Sequence, residues 1–312
     1  MSRRKLRLGT RGSALALWQA NWTRAEVEKR WPDLRVELVP IKTTGDKILD
    51  VPLAKIGGKG LFTKEIDEAL LDGRIDLAVH SLKDVPFELP EGIVIGAVPE
   101  RDDPRDAFLS SGETLSELRR DAAIGTSSLR RQVQLRHHFP SLNIVTLRGN
   151  VDTRLRKLAA GEFDGIILAV AGLKRLGHEA RITQILDDDL MVSAVGQGAL
   201  GIVCRTRDDS TRQLLQSLDH DPTRTAVTAE RGLLRALGGS CQVPVAGIAK
   251  LAENKLTIKG LIASLDGVRV ITDELTGSPG QAERLGIELG QRMLSKGAGE
   301  ILAEIIQHGA DG

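Results

Sequence analysis

The sequence predicts an α/β protein of two similar lobes with mixed, mostly parallel sheets, followed by a small C-terminal α+β domain. Three observations predict it. Apolar, strand-like runs alternate with helical segments through the first half, a pattern that suits parallel sheets with helices on both faces. The pattern then restarts after a charged, proline-bearing segment, PERDDPRD, from Pro99 to Asp106. Beyond Asp221 and Pro222 the texture changes to the alternation of an antiparallel meander. The 312-residue length fits more than one domain.

The elements follow in order. KLRLG is a short strand, and Ser13 is placed to cap a helix from Ala14 to about Arg30, ended by Pro32. VELVPIK reads as a strand, Leu61–Leu71 as a helix, IDLAVHS as a buried strand and IVIGAVP as the strand closing the first set. After the restart, AAIGTSS is a strand and turn, SLRRQVQLRHHF a helix, NIVTLR a strand, Val151–Ala160 a helix and GIILAV a buried strand. LGTRGSALALW and IGTSSLRRQVQL both read strand, Gly-Thr turn, serine cap, helix, an internal echo between the lobes. PERDDPRD and SAVGQGA (Ser193–Ala199) are the expected crossings, with LGIVCRT returning to the first sheet. A helix near Thr223–Leu237, a meander of VPVAGIAKL, KLTIKGLIAS and VRVITDELTG, and two helical stretches separated at Lys296 and Gly297 finish the chain.

Composition excludes several function classes. Hydrophobic residues at 41% and charged residues at 27% are ordinary for a globular protein. The net charge is +1, and aromatics are 3% with no tyrosine, so neither a global field nor base stacking points to nucleic acid. The two cysteines, Cys204 and Cys241, make no disulfide framework and indicate a reducing compartment. The first apolar run is too short and too broken for a signal peptide, and none is long enough to span a bilayer. The expected location is the cytoplasm.

GQGALG, Gly196 to Gly201, matches the dinucleotide fingerprint in spacing but precedes a strand-like run, where the fingerprint must open a helix. GGKGLF lacks the Walker spacing, no nucleophilic serine elbow is visible, and the six histidines are scattered, which argues against a metal. The positive signal is basic. From Ile124 to Lys157 lie Arg130, Arg131, Arg136, Arg148, Arg154, Arg156 and Lys157 against one acid, Asp152. Arg130 and Arg131 fall in a helix's first turn, where cations oppose the macrodipole. That suggests an anion at this helix end beside Thr126, Ser127 and Ser128; the alternative is a solvated basic face. Arg11 and Ser13 offer the same chemistry on the first lobe.

HSLKDVP puts Lys83 and Asp84 past the carboxyl end of a buried strand, where ligands sit in open α/β sheets. Asp84 there suits an acid, a base or a stabiliser of a developing cation; a turn former before Pro86 is the alternative. Thr43–Gly60 reads equally as a mobile lid or an ordinary loop. Cys204 sits in an apolar strand and is expected to be a packing residue. Cys241 follows glycines in a turn, where an accessible thiol can form covalent bonds or be incidental.

Together, GTRGSALALWQA, KGLFTKEID, DLAVHSLKDVP, IGTSSLRRQ, LRGNVDTRL, AVAGLKRLG, GQGALGI and GGSCQVPVA, in this order from the N-terminus to Val245, resemble the porphobilinogen deaminases, or hydroxymethylbilane synthases. One departure is Ser240, where many relatives have glycine; it adds only a hydroxyl beside the thiol.

The resemblance implies a transferase of tetrapyrrole biosynthesis. It would carry a dipyrromethane cofactor on Cys241 through a thioether, as a primer. Four porphobilinogen units would be added head to tail, each losing ammonia, and hydroxymethylbilane released by hydrolysis. Each pyrrole carries an acetate and a propionate, so the growing chain is a polyanion. The resemblance assigns carboxylate contacts to Arg11, Ser13, Lys83, Thr126, Ser128, Arg130, Arg131, Arg148, Arg154 and Arg175. Asp84 would serve the cationic azafulvene and the later proton loss, and Lys59 and Phe62 would belong to the lid.

The implied fold is two lobes like those of periplasmic binding proteins plus a cysteine-bearing third domain. The expected boundaries are 1–99 with 200–217 for the first lobe (lid and Asp84 side of the cleft), 100–199 for the arginine-rich second lobe, and 218–312 for the C-terminal domain. The family suggests a monomer. A two-lobed anion receptor would explain the lobes and arginines, but not Cys241 or Asp84, and a periplasmic one would need an export signal. A nucleic-acid binder would be revealed by salt-sensitive heparin retention.

Overall fold

A computed structural model describes residues 4–47, 63–238 and 243–310. Lys59, Phe62 and Cys241 lie outside the described residues. The strands are β1 (Arg4–Thr10), β2 (Leu34–Pro40), β3 (Leu77–Ser81), β4 (Ile93–Ala97), β5 (Asp106–Ser110), β6 (Ala123–Gly125) and β7 (Asn143–Val145). They continue as β8 (Gly165–Ala169), β9 (Gln184–Leu186), β10 (Leu200–Arg205), β11 (Val245–Ala252), β12 (Lys255–Ala263) and β13 (Val270–Gly277). The described residues divide into two compact units. One contains 4–47, 63–102 and 199–224, and the other 103–198, 225–238 and 243–310.

The first unit holds a five-stranded sheet in the order β2-β1-β3-β10-β4. β1 runs parallel to β2 and β3, whereas β10 is antiparallel to β3 and β4. Alternation along the strands divides its side chains between two covers. Leu6, Leu8, Leu77, Val79, Ile202 and Cys204 pack with Ala20 and Val27 of the Ala14–Arg30 helix. Ala78 and Val203 pack on the other face with Ile66, Ala69 and Leu70 of the Lys64–Leu71 helix. Full burial of each large aliphatic side chain contributes roughly 1.5–3 kcal/mol. Ser13 caps its helix as expected, its Oγ accepting from Ala16 N–H at 3.4 Å.

The second unit repeats that plan. Its five-stranded sheet has the order β7-β6-β8-β5-β9, with β6 parallel to β7 and β8, and β5 antiparallel to β8 and β9. The echo between the two Gly-Thr turns is therefore real: β1 and β6 hold equivalent places in sheets of one strand order. The expected mixed, mostly parallel architecture is present. The chain passes between the two units at 102–103, 198–199 and 224–225. β5 and β9 were not among the strands expected from sequence. DAFLS opens directly on the charged crossing, and QIL is too short to show a period.

The same unit carries the antiparallel sheet β11-β12-β13. On one face Ile258, Ile262 and Val245 pack with the Asp221–Ala236, Ala282–Met293 and Gly299–Ala310 helices. On the other, Ala246, Ile248 and Leu261 pack with Val133 of the Leu129–His138 helix, the one that carries the paired arginines.

Candidate active site

In the first unit, adjacent parallel strands bring two of the predicted segments to one edge. Arg11 and Ser13 follow β1; Lys83 and Asp84 follow β3 in a short 3-10 turn, Leu82–Asp84. Gln19 of the capped helix donates from Nε2 to Ser81 Oγ at 2.8 Å, tying the two segments together. Leu82 N–H donates to Ala199 O at 3.0 Å, which fixes the turn from the other side. The Asp84 side chain is exposed, and no hydrogen bond or ion pair holds its carboxylate among the described residues. It is available to an incoming N–H.

His80, one residue before Ser81, was passed over in the sequence. It is 7% exposed, and its Nε2 has no partner among the described residues. Burial, with a contribution from the Arg11 charge, lowers its pKa to about 4. The ring is neutral at pH 7.

In the second unit the carboxyl ends of β6, β7 and β8 gather the arginines, as an open α/β sheet gathers its ligand groups. Thr126 is fully buried; its Oγ1 accepts from Ser128 N–H at 3.2 Å, and Ser128 begins the Leu129–His138 helix. Arg148 and Arg154 follow β7, the latter on a helix, Val151–Ala159, capped by the Asn150 side chain. Arg175 ends the Val170–Arg175 helix after β8 and donates from Nη2 to Gly198 O at 2.6 Å.

Arg130 and Arg131 do not form a solvated face. Both side chains are only 6% exposed. Between them lies Asp106, the first residue of β5 and fully buried. Arg130 Nη2 is 2.8 Å from one Asp106 oxygen, and Arg131 Nη2 is 2.7 Å from the other. The anion beside these two arginines is thus a carboxylate from the protein itself. Burial lowers the Arg130 pKa, the Asp106 charge opposes that, and Arg131 adds to the lowering.

Two guanidiniums flank this one carboxylate, and two more arginines, Arg148 and Arg154, follow β7 in the same unit. Arg154 donates from Nε to Gly149 O at 2.8 Å, but has no acidic partner among the described residues. Burial, then the charges of Arg131 and Arg148, lower its pKa to about 10. Arg148 keeps a buried Nε without a partner among the described residues. Such a set can accept the carboxylates of an anionic ligand. Asp106, Gln197 and Glu230 were missed in the sequence. Asp106 alone had a signal, a single acid at the edge of the apolar run AFL.

Comparison with known proteins agrees with this chemistry. The family model "Porphobilinogen deaminase, dipyromethane cofactor binding domain" matches residues 6–213, and "Porphobilinogen deaminase, C-terminal domain" matches 224–295. The porphobilinogen deaminase of Trichlorobacter lovleyi is 54% identical over 307 residues, covering 98% of each chain. That of Geobacter sulfurreducens is 53% identical, covering 98% of this chain and 96% of its own, and that of Nitratidesulfovibrio vulgaris is 53% identical, covering 98% of each. Among solved structures, the methionine binding protein MetQ matches at 14% identity with a TM-score of 0.45, over 70% of this chain and 92% of its own. That last likeness is too slight to bear on function. The family models and the sequence relatives span nearly the whole chain: it belongs to the porphobilinogen deaminase family, enzymes with a dipyrromethane cofactor.

Proposed function

We propose that this enzyme joins four porphobilinogen units head to tail on a dipyrromethane primer held by Cys241, and releases hydroxymethylbilane by hydrolysis. The observation that carries the reading is the arginine set of the second unit: Arg130 and Arg131 share the one carboxylate of Asp106, and Arg154, with no acidic partner among the described residues, feels the charges of Arg131 and Arg148. When bound, the dipyrromethane supplies a covalent primer to which the first unit is joined. Arg130, Arg131, Arg148, Arg154 and Arg175, with Thr126 and Ser128, hold acetate and propionate groups of primer and chain. Each charge-assisted hydrogen bond contributes about 1.5–3 kcal/mol, and the fork geometry fixes orientation.

Arg11, Ser13 and Lys83 take the same part on the first unit, and Lys59 and Phe62 belong to a lid. Asp84 is the catalytic residue. Its carboxylate accepts a hydrogen bond from a pyrrole N–H and stabilises positive charge as ammonia departs. It then receives the proton that the attacking ring must lose. The unheld, exposed position of Asp84 supports this part, because the oxygens are not committed to the protein.

Three separate sheets support a three-part division at 1–99 with 200–217, 100–199 and 218–312. Among the described residues no helix is long and apolar enough to cross a membrane. The working state is a cytoplasmic monomer. The test is stoichiometric. Purified protein is incubated with porphobilinogen, and ammonia and free product are measured. One ammonia per unit consumed, with a product of four deaminated units plus water, is the expected result. Absence of ammonia release, or a product of any other length, overturns the reading.

A further inference from the structure

We infer that Asp106 is a positioning residue for the reaction: it sets the orientation and net charge of the Arg130–Arg131 pair, and Gln197 fixes Asp106 in turn. The inference rests on the reading of the arginine set as the site for carboxylates.

The hydrogen bonds make the case. Asp106 Oδ1 accepts from Arg131 Nε at 3.1 Å and Nη2 at 2.7 Å, while Arg131 Nη1 donates to Ile167 O at 3.0 Å. Arg130 meets the other Asp106 oxygen at 2.8 Å through Nη2, while its Nη1 donates to Val192 O at 2.8 Å. Each guanidinium is therefore anchored through separate nitrogens to a carboxylate and a backbone carbonyl, which stops its plane from turning. A guanidinium has five N–H donors. Among the described residues these contacts leave Arg131 with two uncommitted, and Arg130 with more.

Charge makes the same point. A structural ion pair needs one cation for one carboxylate. Here a second buried arginine leaves the cluster with an excess of one positive charge, at a helix end whose dipole is also positive. An arrangement serving stability alone would not add that charge. Without Asp106 the pair would carry two adjacent charges and repel. With it, one charge and a fixed set of donors remain for an anion.

Gln197 completes the arrangement. Its Nε2 lies 2.8 Å from Asp106 Oδ1 and 2.7 Å from Pro104 O. It sits between Gly196 (φ 72°) and Gly198 (φ 85°), a turn that glycine alone adopts readily. Gly196 N–H donates at 2.7 Å to Glu230, a fully buried carboxylate on the helix leading toward the cysteine loop. This accounts for the GQG motif, which fails as a nucleotide fingerprint: it carries the amide that braces Asp106.

The test uses the full chain, expressed with its biosynthetic supply of primer, and compares wild type with Asp106→Asn, Gln197→Leu and the exchange variant Asp106→Asn/Gln197→Glu. Readouts are the unfolding transition, the primer-loaded fraction by intact mass, and KM and kcat of the loaded fraction. Asp106→Asn should unfold cooperatively yet load to less than a tenth of wild type. The exchange variant, which restores one carboxylate and one amide to the same cluster, should load to within threefold. Gln197→Leu should load but show KM for porphobilinogen raised at least fivefold, with kcat within twofold. A folded Asp106→Asn with loading and KM within twofold of wild type overturns the inference. Should that variant not fold, Gln197→Leu decides alone, and a KM within twofold overturns it. A wild-type chain that never loads primer would instead overturn the function proposed above.

Discussion

At neutral pH the Arg154 guanidinium is charged in surroundings that disfavour the charge, because its pKa is lowered only to about 10. Arg131 is more deeply buried and is paired with Asp106. The two arginines should therefore respond oppositely to removal. Arg131→Leu leaves Asp106 short of a partner and should cost roughly 3–5 kcal/mol of stability, along with primer loading. Arg154→Leu relieves a like-charge burial and should leave the melting temperature unchanged or raised while weakening turnover. Thermal unfolding and assay of both variants check this contrast; a large stability loss for Arg154→Leu contradicts it. Asp84→Ala removes an exposed carboxylate that the protein does not hold, so stability should change by no more than about 0.5 kcal/mol. Turnover should fall at least about 100-fold. Near-normal turnover would remove Asp84 from the chemistry.

His80 gives a prediction in pH. Its folded pKa, about 4, lies below the unfolded value, so the unfolded chain binds the proton more readily. Stability from keeping the ring neutral is present above about pH 6.5 and lost as pH falls toward 4, by up to roughly 3 kcal/mol. Denaturant unfolding of wild type and His80→Gln across pH 4–7 should show a shallower acid loss in the variant. Parallel curves would contradict the assignment.

Among the elements, the arginine helix is held at both ends. Asp106 meets its first turn, and the β12–β13 hairpin meets its last, where Arg136 donates to Leu265 O and His137 Nδ1 lies 3.0 Å from Gly267 O. Its final turn also carries Arg136, His137 and His138, the charge sense that a helix C-terminus favours. Behind the third sheet, the Asp221–Ala236 and Ala282–Met293 helices approach closely at glycines. A Cβ on Gly286 would lie 1.9 Å from Ala229 O, a backbone atom that cannot swing aside. Gly286→Ala should therefore lower stability by about 1–3 kcal/mol or more. A melting temperature equal to wild type would show that the two helices can separate without cost.

For the whole molecule, local signals were legible and distant partnerships were not. The Ser13 cap, the Ala14–Arg30 helix, the return of β10 and the final meander each show a cap or a period in a short window, and each formed where expected. Cys204 was readable as packing because it lies in an apolar run. It is fully buried, and burial raises its thiol pKa to about 11. β5 was hidden because its first residue is a charged aspartate beside a charged crossing. The partners of that aspartate are 25 residues away at Arg131 and 91 away at Gln197, separations over which no periodicity reports. The arginines pointed to an anion, and the one beside Arg130 and Arg131 is Asp106. The sequence did not show that this anion was built into the protein.

The central claim is a covalent primer on Cys241, and the intact mass of the denatured protein beside a Cys241→Ser control tests it most directly. The expected result is an adduct of two deaminated porphobilinogen units on wild type, or its appearance after incubation with porphobilinogen, and none on the control. Wild-type protein that stays at the bare polypeptide mass after that incubation, or a control that carries the same adduct, would contradict it.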